Sequence, residues 1–278
     1  MPLKFDSSKI IKKLANKDKL VPYIDKVWET FDRPLLFSYE PKKSDLGWHP
    51  SSHCTPSPLE LYDEAQLKMI DAVITEEFYM PLPEVNKLSA STRKAFLVGH
   101  FWHQILQHII CQELHWCKQE DIERHSVYDW SPVQPYNGLN GLPRRKPFHY
   151  VSGSGDIAPC VAPDWTGLVD IKTMGSRAFK LSSLPTDTYG DSYSTAEKYE
   201  CQINIYMELF DLDSAIILAV NKDSPHDLKE YMFNRNQDLM DTIFEKWKFV
   251  SKCLEIGKPP TEADDLLFPI ITKGPLLT

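Results

Sequence analysis

The chain has 278 residues, 42% hydrophobic and 25% charged, enough to bury a sizeable core as one large domain or two small ones. Its formal net charge of −8 argues against a surface coated for nonspecific nucleic-acid binding, though not against a local basic groove. No apolar run is long enough to span a bilayer and the start MPLKFDSSKI lacks a signal-peptide core, so a cytoplasmic protein is expected.

Taken in order, the first 90 residues read as a mainly helical, polar extension packed on a core formed by residues 91–278. KIIKKLANKDK is a lysine-rich amphipathic stretch, read as a solvated helix face. The Pro- and Ser-rich stretch that begins at Arg33 and leads into SPLE reads as loop or extended chain. A helix is expected over 58–76, with Ser57 as N-cap, Pro58 at N1 and Glu60 closing a capping box. A second, over 91–117, presents Phe101, Ile105, Leu106, Ile109 and Ile110 as a wide apolar face.

YNGLNGLPRRKP reads as a loop carrying the sharpest basic cluster, Arg144, Arg145 and Lys146. Two strands joined by a turn at APDWTG follow, then a loop-like stretch over 175–195. AEKYECQINIYMELFD returns to helical spacing. SAIILAVNKD and KEYMFNRN read as strands, and QDLMDTIFEKWKFVSKCLEIGK as a helix ended by Pro259 and Pro260. This order predicts an α/β fold with a central mixed sheet flanked by helices. The six cysteines, without a CxxC pair, are expected as reduced, mostly buried thiols.

In GLVDIKT, Asp170 and Lys172 share one face of a strand while Val169 and Ile171 take the other. Alone, such a pair is a solvated face or a structural ion pair. Asp156, in GSGDI on the preceding strand, can approach Asp170 if the two strands pair around APDWTG. Two such carboxylates repel unless a cation lies between them, and oxygen ligands suit Mg²⁺ or Mn²⁺. His103 lies on the second long helix, with His100 and His108 as competitors. Gln202 and Tyr206 lie one helical turn apart. Glu123, in EDIERH, could sit on a strand near these groups.

These motifs together resemble the PD-(D/E)XK nuclease superfamily, in particular its RecB-like exonuclease branch of phage and bacteria. The branch pattern is matched by Gly99 with His103, Gly153 with Asp156, Asp170 with Lys172, and Gln202 with Tyr206, across roughly residues 93–211. The second acid is Asp170 where many members have Glu.

The resemblance implies a restriction-endonuclease-like core and hydrolysis of DNA phosphodiester bonds in recombination, repair or phage DNA processing. It implies a divalent cation held by Asp156, Asp170 and the backbone carbonyl of Ile171, with His103 completing that site or a neighbouring one. Lys172 would then act on the transition state, and Gln202 and Tyr206 on the substrate. Arg144, Arg145, Lys146, Arg177 and Lys180 are candidates for further phosphate contacts. Some relatives hold an iron–sulfur cluster. Here Cys54 stands at the upstream position but only Cys253 remains downstream, so no cluster is expected. A structure- or site-specific endonuclease, and a nuclease-fold DNA-binding subunit, are the alternatives. For a phage-encoded chain the compartment would be the host cytoplasm.

Overall fold

A computed structural model of the chain describes residues 19–28, 46–78, 90–130, 136–137, 143–144, 146–181, 195–224 and 227–268. Among the described residues, four helices come first: α1 (Val21–Trp28), α2 (Pro50–His53), α3 (Pro58–Phe78) and α4 (Ala90–His108). Strand β1 (Ile122–Asp129) follows, then a small ladder of β2 (Tyr136–Asn137) with β3 (Pro143–Arg144), and a long hairpin of β4 (Tyr150–Ala162) and β5 (Trp165–Met174). The remainder is α5 (Ser176–Leu181), α6 (Thr195–Phe210), β6 (Ser214–Asn221), β7 (Leu228–Asn234), α7 (Gln237–Ile256) and α8 (Glu262–Asp265).

The five main strands form one sheet in the order β1-β4-β5-β6-β7. Neighbours are antiparallel except β5 and β6, which run parallel and therefore need the α6 crossover between them. Alternation along the central strands divides the apolar core into two layers. Val169, Ile171, Ile216, Leu218 and Val220 pack with Ile105, Leu106 and Ile109. Leu168, Ala215, Ile217 and Ala219 pack with residues of α3, α6 and α7, including Leu61, Met207 and Trp247. The expected mixed sheet flanked by helices is the fold adopted. No helix among the described residues is long and apolar enough to cross a membrane.

Local chemistry sets the element ends. Ser57 and Glu60 form the expected reciprocal box, Ser57 N donating to Oε2 at 2.9 Å and Glu60 N to Oγ at 3.3 Å. The C-terminal helix α7 stops before its two prolines. Gly257 adopts φ 64° there, and Lys258 N reaches the carbonyl of Cys253 at 3.1 Å.

Several elements differ from expectation. Helix α4 gives way to a π-helical turn at Ile109–Glu113 and does not reach residue 117. Strand β1, foreseen only around Glu123, is a full edge strand whose largely exposed residues give no apolar alternation. Helix α5 stands inside the stretch read as loop. Its first N–H, on Ser176, donates to Asp223 Oδ2 at 2.8 Å, a capping partner supplied from 47 residues away. The short elements α2, β2 and β3 also fall in stretches read as loop, being too brief to show a period. The lysine-rich stretch lies outside the described residues except for Lys19.

Candidate functional site

Strands β4 and β5 part company at the site. Their ladder reaches the Ile157–Val169 pair, beyond which β4 leaves β5, stays paired with β1 and bridges Trp48 at Val151. The side chain of Asp156 enters the resulting gap, its Oδ2 accepting the Ile171 N–H at 2.6 Å. A carboxylate thus replaces the backbone acceptor that a continued ladder would have offered.

Two neighbours bring further ligand-type groups to Asp156. From α4, His103 Nδ1 lies 3.6 Å from Asp156 Oδ2. From β1, Glu123 falls between the Ile122–Ile157 and Arg124–Gly155 pairs, opposite Asp156. His103, Glu123 and Asp156 each offer one ligand atom, and these three atoms lie within 4.8 Å of one another. Close seating of α4 depends on Gly99, where an added Cβ would come within 3.1 Å of Thr173 Oγ1 on β5. His108 faces elsewhere, its Nε2 lying 3.7 Å from Glu113.

Asp170 and Lys172 do share a face of β5, as the alternation requires. Lys172 Nζ lies 3.1 Å from Asp170 Oδ1 and 2.8 Å from Oδ2. The same ammonium stands 5.3 Å from the ring centroid of Tyr199, on α6. One turn further along α6, buried Gln202 donates through Nε2 to the Tyr206 hydroxyl at 3.2 Å. The Tyr206 ring packs against Gly153, where an added Cβ would fall 2.6 Å from Cε1. Helices on opposite faces of the sheet therefore both reach the gap beside β5.

Burial pushes the Asp156 carboxyl up to about 6. The carboxylates of Asp170 and Glu123 push the same way, against the pull of His103 and Lys172. Burial alone would lower Lys172, but Asp170 and Asp156 override it and hold the ammonium above the usual lysine range. Burial, then the Asp170 charge, raises the Tyr206 phenol. An imidazole and carboxylates gathered at a position that resists negative charge fit a divalent cation.

No protein-family profile matches the chain, and no curated protein matches it by sequence. Solved structures do show likeness. An alkaline exonuclease, LHK-Exo from Laribacter hongkongensis, is 12% identical, with 74% of this chain and 90% of that one covered at a TM-score of 0.37. A phage-related exonuclease from Haemophilus somnus 129PT is 14% identical, with 76% of this chain and 96% of that one covered at a TM-score of 0.37. The protein SSO0001 is 13% identical, with 87% of each chain covered at a TM-score of 0.41. These are distant likenesses.

Lys146 forms an ion pair with Glu255 near the end of α7, and His149 Nε2 lies 3.4 Å from the same carboxylate. Arg144 lies in β3 and Arg177 in α5, while Lys180, also in α5, is exposed. Arg145 lies outside the described residues.

Two residues near the motifs were not singled out from the sequence. Gln107, four positions after His103, donates through Nε2 to Glu123 Oε1 at 3.0 Å and to the Asp156 carbonyl at 3.2 Å. Tyr199, three positions before Gln202, is the other. Helical i,i+4 and i,i+3 spacing from the recognised motifs is the signal that could have found them.

Proposed function

We propose that the protein is a divalent-metal-dependent nuclease that hydrolyses DNA phosphodiester bonds, an exonuclease of the RecB-like kind. The observation that carries this reading is the meeting of His103, Asp156, Asp170 and Lys172, from three elements, at the gap where β4 leaves β5. Asp156, Asp170, the Ile171 carbonyl and His103 would hold Mg²⁺ or Mn²⁺, with the imidazole favouring Mn²⁺. When bound, the cation supplies activation of water and neutralisation of phosphate charge.

The chain's own groups do the rest. Lys172 remains an ammonium and stabilises negative charge on phosphorus oxygens in the transition state. Gln202 and Tyr206 position the substrate backbone, and Arg144, Arg145, Arg177 and Lys180 contact phosphates further along. Lys146, paired with Glu255, would contribute only if that pair exchanged for a phosphate. In a chain of net charge −8, a clustered set of carboxylates repels DNA until a cation is present.

The test is incubation of end-labelled single-stranded DNA, end-labelled duplex and closed-circular DNA with Mn²⁺ or Mg²⁺. The reading expects short products from linear DNA, bearing 5′-phosphates, and an intact circle. Cleavage of the circle would replace exonuclease with endonuclease, and no cleavage of any substrate would remove the nuclease reading.

A further inference from the structure

Glu123 is an exposed acid on an edge strand, yet its carboxylate is not left to solvent. Gln107 is 6% exposed and gives one amide hydrogen to Glu123 Oε1 and the other to the Asp156 carbonyl, at 3.0 and 3.2 Å. Both partners can only accept, so the amide nitrogen must face them. One side chain on α4 thereby braces β1 against β4 where the strands carry Glu123 and Asp156. A leucine would fill this place but would leave the Asp156 carbonyl and the Glu123 carboxylate without this donor, so the amide is tied to both strands. Glu123 also holds φ 51°, a left-handed backbone that glutamate seldom adopts. Both features keep its carboxylate beside His103 and Asp156.

We infer that Glu123 is a protein ligand of the cation held at His103 and Asp156, and that Gln107 is the positioning residue that orients it. The inference rests on the metal-dependent reading above and adds a third strand to the site. Residues that orient ligands through hydrogen bonds typically change metal affinity by about 10- to 100-fold when removed.

The experiment is calorimetric titration of the full chain with Mn²⁺ alone, for the parent, Glu123→Gln, Gln107→Leu and the double variant. Each single substitution should weaken binding about 10- to 100-fold. The double variant should bind as Glu123→Gln does, because Gln107 acts through Glu123. Glu123→Gln binding Mn²⁺ like the parent overturns the ligand assignment. Since Glu123 is exposed, that variant decides the question even where Gln107→Leu does not fold. A further large loss in the double variant overturns the positioning role of Gln107. A parent that binds no Mn²⁺ sinks the metal reading itself, a result distinct from the other two.

Discussion

Lys172 is subject to two opposed effects, and the balance between them defines what it can do. Burial disfavours its charge, but the Asp170 carboxylate at 2.8 Å and the nearby Asp156 hold the proton on more tightly than water does. It is a fixed cation, unsuited to general-base work near neutral pH. Lys172→Ala should therefore abolish cleavage while circular dichroism and DNA binding stay close to the parent. Near-normal turnover in that variant would remove lysine from the mechanism. Asp156 shows the opposite balance. Its folded-state pKa of about 6 lies above the ordinary value of 3.8, so its contribution to stability is fully present below the ordinary value and is lost as pH rises through about 6. In chelator at about pH 8, Asp156→Asn should be more stable than the parent by up to roughly 3 kcal/mol, and the difference should vanish by about pH 4. Denaturant melts at both pH values would check this, and a less stable Asn variant at the higher pH would count against it. His103→Ala should cut activity strongly, whereas His108→Ala, beside Glu113, should be nearly silent. The reverse order in a rate series would detach His103 from the site. The acid and lysine positions were legible in the sequence because strand alternation and motif spacing suffice to place them. Gln107 and Tyr199 were not, because their significance depends on what other elements bring against them.

At the scale of elements, glycines let the motifs meet. Gly153 admits the Tyr206 ring to the face of β4, which ties α6 to the strand bearing Asp156. Gly153→Ala would force that buried ring aside, at a cost of about 1–3 kcal/mol. Thermal unfolding should register the loss, and an unchanged melting temperature would show that the ring can move freely. The long helices and the hairpin were legible from apolar period and from caps such as Ser57 with Glu60. Strand β1 was foreseen only around Glu123, because an exposed edge carries no apolar alternation, and α5 escaped because its capping acid, Asp223, comes from a distant turn. The end of α7 is set by Gly257 and not by the prolines after it, since the left-handed residue completes the final carbonyls first.

For the whole molecule, the mixed sheet brings two helical layers to one opening. Helix α4 supplies His103 and Gln107 from one side of the sheet, α6 supplies Tyr199, Gln202 and Tyr206 from the other, and the parting of β4 from β5 leaves the acids between them. Helix order and strand order made the layered fold legible, but the gap itself depends on where a ladder stops, which no local pattern records. On the proposed function, this opening hydrolyses DNA with a divalent cation. The most direct measurement is release of acid-soluble nucleotide from linear duplex DNA by the parent in Mn²⁺, by the parent in chelator, and by Asp156→Asn in Mn²⁺. Release is expected in the first reaction alone; no release there, or equal release in all three, would overturn the metal-dependent nuclease.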